Sequence, residues 1–244
     1  MSTFELIRHK SKLEEERLLD QRLIYGQYPE IINNPGRAQM LLSEITNNYL
    51  YKDLLSIESI RKPVLLEKIL TALALQIGNE VSWNELSQLI GADNKTIEHY
   101  VQLLEKCYVI FTLSAFSRNV RNEIKKGRKI YFYDNGIRNA ILKNYNPLGL
   151  RQDAGALWEN FLMTERRKFN AYSRRYTNSF FWRTLTGVEI DYVEDSGGKL
   201  HGFEFKWNER KRAKIPNAFR EGYPDADFSV VNRSNYLEFI CGKQ

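Results

Sequence analysis

The hydrophobic pattern of this chain changes from helical spacing to strand alternation at about its midpoint. In the first half, leucines recur among glutamate, lysine and arginine at the spacing of one helix face, as from Leu6 to Leu23. In the second half, short apolar runs are separated by turn residues, as in Val188 to Val193 and Leu200 to Trp207. The change predicts a mixed α and α/β fold, in which a helical part precedes a domain with a mixed central sheet.

The overall composition is that of an ordinary globular protein, with 43% hydrophobic and 27% charged residues. It excludes collagen-like, mucin-like and largely disordered chains. No long uncharged apolar run is present and the N-terminus lacks the apolar core of a signal peptide, so we expect no membrane segment and a cytoplasmic protein. Two cysteines, Cys107 and Cys241, predict neither a disulfide framework nor a zinc site.

A helix-turn-helix is predicted in the middle of the chain. Ser82 can cap its first helix, with Glu85 at the reciprocal capping-box position, and Asp93 can cap its second helix. Strands predicted from Tyr108 to Leu113 and from Lys129 to Tyr133 follow as a two-stranded wing. This order is typical of a winged helix.

Three parts are predicted along the chain. A helical segment occupies residues 1–60, a winged-helix domain residues 61–143, and an α/β domain residues 144–244, which begins with a linker that contains Pro147. We expect the α/β part to end on a strand from Tyr236 to Ile240.

Positive charge is concentrated in a few segments of the chain. The excess of 36 Lys and Arg over 30 Asp and Glu gives a net charge of +6. Basic residues cluster from Arg118 to Lys129, from Arg166 to Arg175 and from Lys206 to Lys214. Such clusters attract polyanions by releasing counterions, although they also occur as solvated faces.

The winged helix offers one route to nucleic acid. Its second helix and its wing would lie against DNA phosphates and groove edges, whereas some winged helices serve as protein-interaction or spacer domains. The candidate contacts are Lys95, Thr96, Arg118, Arg121, Lys125, Lys126, Arg128 and Lys129.

The hairpin of the α/β part carries the residues best suited to catalysis. Asp191 lies in its first strand, and Glu204 and Lys206 lie two residues apart in its second strand, so that both project from one face. Glu159, on the preceding helix, can reach the same pocket. Arg183, on the neighbouring strand, can hold a phosphate or pair with Asp191.

Clustered carboxylates and a lysine are what metal-assisted phosphodiester hydrolysis requires. Asp191, Glu204 and Glu159 would hold Mg²⁺ or Mn²⁺, and Lys206 would position the attacking water and offset charge on phosphorus. An acidic residue followed about a dozen residues later by Glu-x-Lys is the nuclease signature written PD-(D/E)xK. The same spacing also arises from a solvated hairpin face or a structural ion pair, and the sequence leaves these alternatives open.

Several short segments together carry a resemblance that covers nearly the whole chain. They are Tyr25 to Glu30, Tyr49 to Leu54, Val81 to Leu86, Lys129 to Asn139, Leu157 to Phe161, Phe181 to Thr184, Gly187 to Tyr192 and Phe203 to Trp207. In this order they resemble the C-terminal region of a group of bacterial and archaeal AAA+ ATPases. The resemblance implies lid helices, a winged helix and a restriction-endonuclease-like domain of uncharacterised function. Its nuclease-like residues map onto Glu159, Asp191, Glu204 and Lys206.

One departure from this family concerns ATP. The chain has no Gly-x-x-x-x-Gly-Lys-Ser/Thr phosphate loop, so we expect no ATP binding and a chain that lacks the ATPase module. Without that module, Leu6, Leu13 and Leu18 would form an exposed apolar stripe and favour homo-oligomers.

These features support two functions. One is a DNA-binding, nuclease-like portion of an AAA+ ATPase, with Mg²⁺-dependent phosphodiester cleavage as its candidate activity. The other is a non-catalytic protein- or DNA-interaction module that regulates a partner ATPase.

Overall fold

A computed structural model describes residues 1–50, 63–117 and 127–242 of the chain. The chain divides into two compact units, Met1–Thr112 with Ile130–Thr164, and Leu113–Lys129 with Glu165–Gln244. This grouping does not test the three parts predicted from the sequence, and their bounds stay a prediction. None of the helices in the described part of the chain is both long enough and apolar enough to span a bilayer.

Ten α-helices, one of which continues into the second unit, and three strands are described in or partly in the first unit. They are α1 (Thr3–His9), α2 (Lys12–Arg17), α3 (Leu19–Tyr25), α4 (Pro29–Asn33), α5 (Ala38–Glu44), α6 (Pro63–Leu75), β1 (Glu80–Val81), α7 (Trp83–Ile90), α8 (Asn94–Lys106), β2 (Ile110–Ala115), β3 (Arg128–Phe132), α9 (Asn135–Ile141) and the start of α10 (Ala154–Tyr172). A π-helical turn, Ile45–Leu50, follows α5, and short 3₁₀ turns span Pro35–Arg37 and Leu148–Leu150.

The N-terminal leucine stripe forms three short helices rather than one. The Ser11 side chain accepts a hydrogen bond from the Glu14 amide and so begins a new helix within the expected one. Gly26 ends α3 at a φ of +74°, as predicted. The expected exposed stripe is wrong at Leu6, which is 1% exposed, whereas Leu13 is 58% exposed.

The winged-helix prediction agrees with the order α6, β1, α7, α8, β2, β3. Asp93 caps α8, since its side chain accepts from the Thr96 amide at 2.9 Å. Ser82 occupies the N-cap position of α7 but makes no side-chain capping bond, so the predicted capping box is absent there. A core that includes Leu70, Leu86 and Leu104 packs these helices together.

Buried polar bonds fix α9 within the first unit. Asp134 caps α9 by accepting from the amides of Gly136 and Ile137, at 2.8 and 3.2 Å, as the sequence predicted. Its other oxygen accepts from the Gln27 amide at 2.7 Å. Gly136 approaches the Tyr25 carbonyl so closely that an added Cβ would lie 2.2 Å from that oxygen. A side chain at this position would therefore separate α9 from α3.

Four strands and two complete helices build the second unit together with the end of α10. They are β4 (Asn178–Arg183), β5 (Glu189–Ser196), β6 (Lys199–Phe205), α11 (Asn217–Gly222), β7 (Asp227–Val231) and α12 (Tyr236–Cys241).

The seven described strands form one sheet in the order β1-β3-β2-β4-β5-β6-β7. Strands β4, β5 and β6 are antiparallel neighbours, and β7 lies parallel to β6. The end of β2 pairs parallel with β4, through Ser114 and Phe180. The mixed sheet confirms the predicted fold class.

The predicted C-terminal strand is wrong, because residues 236–241 form helix α12. Tyr236, Phe239 and Ile240 are all buried, and their spacing of three and four residues is that of one helix face. Phe239 packs on Phe203 of β6, with ring centroids 4.9 Å apart. In a run this short, β-favouring residue types do not distinguish a strand from a buried helix.

Candidate functional site

A β-bulge in β5 positions Asp191. Phe180 of β4 pairs with Val193 and Trp182 pairs with Ile190, so two steps along β4 correspond to three along β5. Bulges interrupt the ladder and re-aim a side chain, and they recur beside active sites. Here the Asp191 carboxylate accepts a hydrogen bond from the Phe205 amide at 2.7 Å. Asp191 therefore lies against the backbone between Glu204 and Lys206.

Glu204 and Lys206 contact one another at the end of β6. The Lys206 ammonium lies 2.5 Å from Glu204 Oε1, and the two side chains are 26% and 17% exposed. Phe203 and Phe205, on the opposite face of the strand, are buried. The Lys206 amide donates to the Val231 carbonyl at 2.9 Å, which holds the lysine backbone at the edge of β7. At the end of β6, alternation thus places Phe203 and Phe205 on an apolar face and Glu204 and Lys206 on a charged, partly exposed face, as the sequence predicted.

Glu159 belongs to the first unit, on α10. Its Oε1 accepts a hydrogen bond from the Tyr131 hydroxyl at 2.7 Å. Gly78 lies beside it, so that a Cβ there would be 3.4 Å from the carboxyl group. Across residues 1–50, 63–117 and 127–242, no three His, Cys, Asp or Glu side chains converge as a metal-binding group. The role of Glu159 as a third metal ligand stays a prediction.

Two basic residues flank Glu189 at the start of β5. Lys129 forms an ion pair with Glu189, and its side chain is only 3% exposed. Arg183 Nε lies 3.8 Å from the other Glu189 oxygen and is 42% exposed. Burial removes Lys129 from any phosphate-binding surface, whereas Arg183 keeps an accessible guanidinium. The sequence offered Arg183 a phosphate or Asp191 as its partner, and the structure shows a contact with Glu189.

The candidate DNA contacts of the winged helix fall into two groups. Lys95 is exposed in the first turn of α8, while the Thr96 hydroxyl donates to Asp93 at 2.6 Å and so belongs to the helix cap. Arg128 is partly exposed at the start of β3. The remaining candidates lie outside the described residues: Arg118, Arg121, Lys125 and Lys126.

Sequence reasoning missed an arginine at the edge of the sheet that carries Glu204 and Lys206. Arg233 follows β7, and its guanidinium lies over the Trp207 ring, 4.6 Å from the centroid. Because β6 and β7 are parallel, the residues that follow them meet at one edge, where α/β sheets commonly bind ligands. The predicted strand from Asp227 to Val231 could have indicated Arg233, had its parallel pairing been recognised.

A second carboxylate, Glu194 on β5, was also missed. It accepts two hydrogen bonds from Arg166, at 2.8 and 2.7 Å, and others from Asn170 and Tyr192. Burial alone would raise the pKa of Glu194, but the Arg166 bonds outweigh it and lower that pKa. Burial and the nearby Glu194 charge raise the pKa of the Tyr192 hydroxyl. Glu194 therefore stays ionised inside a closed network.

Comparisons with known proteins find relatives without an assigned function. A protein of Mycobacterium tuberculosis described as uncharacterised is 28% identical over 138 residues, which cover 56% of this chain and 30% of that protein. An uncharacterised protein of Methanocaldococcus jannaschii is 22% identical over 229 residues, 91% of this chain and 49% of the relative. The chain thus spans between about a third and a half of the length of these relatives. No solved structure matches.

Two protein families match along the chain. Residues 154–240 match the domain of unknown function DUF4143. Residues 16–148, more than half of the chain, match the domain of unknown function DUF8612. The chain belongs to the DUF8612 family.

Proposed function

We propose that the chain is the DNA-binding, nuclease-like portion of an AAA+ family ATPase and that it cleaves phosphodiester bonds with Mg²⁺ or Mn²⁺. The observation that carries this proposal is the meeting of Asp191, Glu204 and Lys206 at the bulged end of the β5–β6 hairpin. The Asp191 carboxylate binds the amide of Phe205, the residue between Glu204 and Lys206, so two acidic groups and one ammonium lie at the same end of the hairpin.

The order of elements around this edge supports the proposal. Helix α10 precedes three antiparallel strands, and α11 then leads to β7, which is parallel to β6. This order is that of a restriction-endonuclease-like core. Fold alone does not imply function, so the weight rests on the side chains at the edge.

The donor set suits a hard cation. Asp191 and Glu204 offer carboxylate oxygens, and Mg²⁺ is commonly held by one or two carboxylates together with phosphate oxygens and water. Such an ion, when bound, neutralises charge on the phosphate and lowers the pKa of the attacking water.

The basic side chains at the edge would bind and orient the phosphate. Lys206 would exchange its contact with Glu204 for a non-bridging phosphate oxygen and so offset the charge that develops there. Arg233, held over Trp207, presents its guanidinium at the same edge, and a guanidinium matches the geometry of a phosphate. Lys206 and Arg233 would thus hold the phosphodiester beside the carboxylates.

The winged helix would supply affinity for DNA rather than chemistry. Lys95 on α8 and Arg128 on β3 would contact phosphates, together with Arg118, Arg121, Lys125 and Lys126. Arg183 would add a contact close to the hairpin. We assign this portion to the cytoplasm, where the thiols of Cys107 and Cys241, which form no disulfide, would stay reduced.

The link to an ATPase comes from the family resemblance and from length. The chain covers 49% of its archaeal relative, which leaves about half of that protein for another module. An ATP-binding module in that half would be the natural partner of this portion, in the same polypeptide or as a separate protein.

A second candidate, a non-catalytic interaction module, is favoured by one observation. Lys206 is already paired with Glu204, and Asp191 already accepts from a backbone amide. Both contacts would also exist in a hairpin whose charges only stabilise the fold.

Cleavage of labelled duplex and branched DNA with Mg²⁺ or Mn²⁺ separates the two candidates. We expect wild type to cut, and both Lys206→Ala and Asp191→Asn to lose cutting by at least about a hundredfold, the scale of a lost electrostatic contact. Asp225→Asn, an exposed loop carboxylate, is the matched control and should cut normally. DNA binding without cutting in every protein would favour the interaction module.

A further inference from the structure

The turn that follows α10 exposes two aromatic rings. Tyr172 is 57% exposed and Tyr176 is 92% exposed, only four residues apart. Arg174 and Arg175, between them, are also exposed. Neighbouring exposed aromatic side chains can form a binding surface, whereas single exposed ones are ordinary.

The backbone of this turn is held firmly. The Arg175 amide donates to the Asn170 carbonyl at 2.9 Å, and the Ser173 amide donates to the Phe169 carbonyl at 2.9 Å. Arg174 adopts a left-handed conformation with a φ of +49°, as at many helix ends. The two tyrosines therefore project from a defined turn rather than from a loose loop.

The buried network beneath the turn fixes it further. The Asn170 side chain donates to the Thr177 hydroxyl at 3.1 Å and to Glu194 at 2.8 Å. Arg166 completes this network through its two bonds to Glu194. A surface built on such a support loses little conformational freedom when a ligand binds.

Charge on this surface is of one sign. Every charged residue from 166 to 178 is basic. Arg166 is buried on Glu194 and Lys168 pairs with Glu165, whereas Arg174 and Arg175 are exposed at the surface. On the neighbouring strand β5, the acidic residue Asp195 pairs with Asn178, two residues beyond Tyr176. The surface is thus complementary to a polyanion.

From these observations we propose that Tyr172, Arg174, Arg175 and Tyr176 form a binding surface for single-stranded nucleic acid. Successive bases stack on the tyrosine rings and the arginines contact the phosphates, which is the usual combination in single-strand binding. A duplex would leave the tyrosines without a role, because its base faces are already stacked. The inference rests on the proposed function only in taking nucleic acid as the partner, and it does not require cleavage.

The test uses fluorescence anisotropy of labelled oligothymidylate and oligouridylate with the full chain. We expect Tyr172→Ala and Tyr176→Ala each to weaken binding by about tenfold, the size of one lost base–aromatic stack. Tyr172→Phe and Tyr176→Phe, the matched controls, should bind as wild type because they keep the ring. Both tyrosines are exposed, so thermal unfolding should change little and provides the folding check.

The arginines give an independent readout. Arg174→Gln with Arg175→Gln should lower the slope of log affinity against log salt by about 1.4, or about 0.7 for each lost phosphate contact. Unchanged binding by the folded tyrosine-to-alanine variants would overturn the inference, as would equal losses in the phenylalanine controls. If the tyrosine-to-alanine variants bind only one of the two oligonucleotides more weakly, the inference is supported and the surface is assigned to DNA or to RNA accordingly.

This experiment separates the inference from the proposed function. Oligonucleotide binding that depends on the tyrosines, in a protein that cuts no DNA, supports the surface and contradicts the nuclease. Metal-dependent cutting that Lys206→Ala abolishes, with oligonucleotide binding unaffected by the tyrosine-to-alanine variants, supports the nuclease and contradicts the surface.

Discussion

Two of the glutamates in the β5–β6 hairpin, Glu194 and Glu204, have opposite environments. Glu194 is 4% exposed and accepts hydrogen bonds from Arg166, Asn170 and Tyr192. The Glu204 side chain is 17% exposed and contacts Lys206 at the edge of the sheet. Both are acidic residues with a basic partner, so residue type alone does not distinguish them. Burial and the number of donors decide which carboxylate maintains the fold and which is accessible to a ligand.

The partners of the two glutamates differ in the same way. Arg166 binds Glu194 through two parallel hydrogen bonds and also donates to the Phe239 carbonyl at 2.5 Å. Such a buried pair is rigid, and it is costly to break because one charge would be left without compensation. Lys206 has a flexible side chain at a partly exposed position, where an ion pair contributes little to stability. This contrast leads to four predictions, given from the largest expected effect to the smallest.

The largest effect is expected for Arg166→Met. This change leaves the Glu194 carboxylate buried without its cation, which should lower the free energy of unfolding by about 3–5 kcal/mol. Chemical denaturation with urea measures it. A loss no greater than that of Lys206→Met would show that the two pairs are equivalent and would remove the contrast.

The next effect is expected in the first unit, at Asp153. Its carboxylate accepts from Arg138 at 2.5 Å and from Arg151 at 2.8 Å. Burial would raise the pKa of Asp153, but the bonds from Arg151 and Arg138 outweigh it and lower the pKa to about 2. Asp153→Asn should cost about 1.5–3 kcal/mol at neutral pH, the usual worth of hydrogen bonds to a charged group.

The pH dependence of stability provides the check on Asp153. A lowered pKa means that the folded state holds the proton less tightly than the unfolded state, whose pKa is about 3.9. The stabilisation is therefore present above about pH 4 and is lost as the pH falls towards 2. The difference in unfolding free energy between wild type and Asp153→Asn should shrink over this range. A constant difference would contradict the assignment.

A smaller effect on stability is expected for Glu204→Gln. Because the Glu204–Lys206 pair is partly exposed, its loss should change the free energy of unfolding by less than about 1 kcal/mol. Urea denaturation beside Arg166→Met gives the direct comparison. A cost of several kcal/mol would mean that Glu204, like Glu194, serves the fold.

The smallest effect is expected in the winged helix, where Lys95 and Thr96 form a matched pair. Lys95→Gln should lower the slope of log affinity for duplex DNA against log salt by about 0.9, as for one lost phosphate contact. Thr96→Val removes the hydroxyl that bonds Asp93 and should leave the slope unchanged. Salt titrations of duplex binding measure both. Equal slopes in wild type and Lys95→Gln would exclude a phosphate contact there.

Local signals made part of the fold predictable from sequence. Asp93 and Asp134 cap amides that lie only two or three residues further along the chain, so a short segment is sufficient to identify them. The mixed sheet followed from the alternation of short apolar runs. Residues 236–240 could not be assigned in this way, because their helix depends on the contact between Phe239 and Phe203.

The candidate site shows the same limit. The Glu204–Lys206 contact follows from alternation along one strand and was predictable. The bulge at Asp191 depends on how β5 pairs with β4, and no local residue pattern indicates it. Glu194 is stabilised by Arg166, which lies 28 residues away in sequence. No local pattern links the two residues, so the buried role of Glu194 was not recognised.

Calorimetric titration with Mn²⁺ tests most directly whether the accessible end of the hairpin is a metal centre. We predict specific binding by wild type and by Asp225→Asn, and loss of binding in Asp191→Asn and in Glu204→Gln, with all four proteins folded. Equal binding by all four proteins, or none by any, would contradict the account and would assign the Glu204–Lys206 pair to the fold.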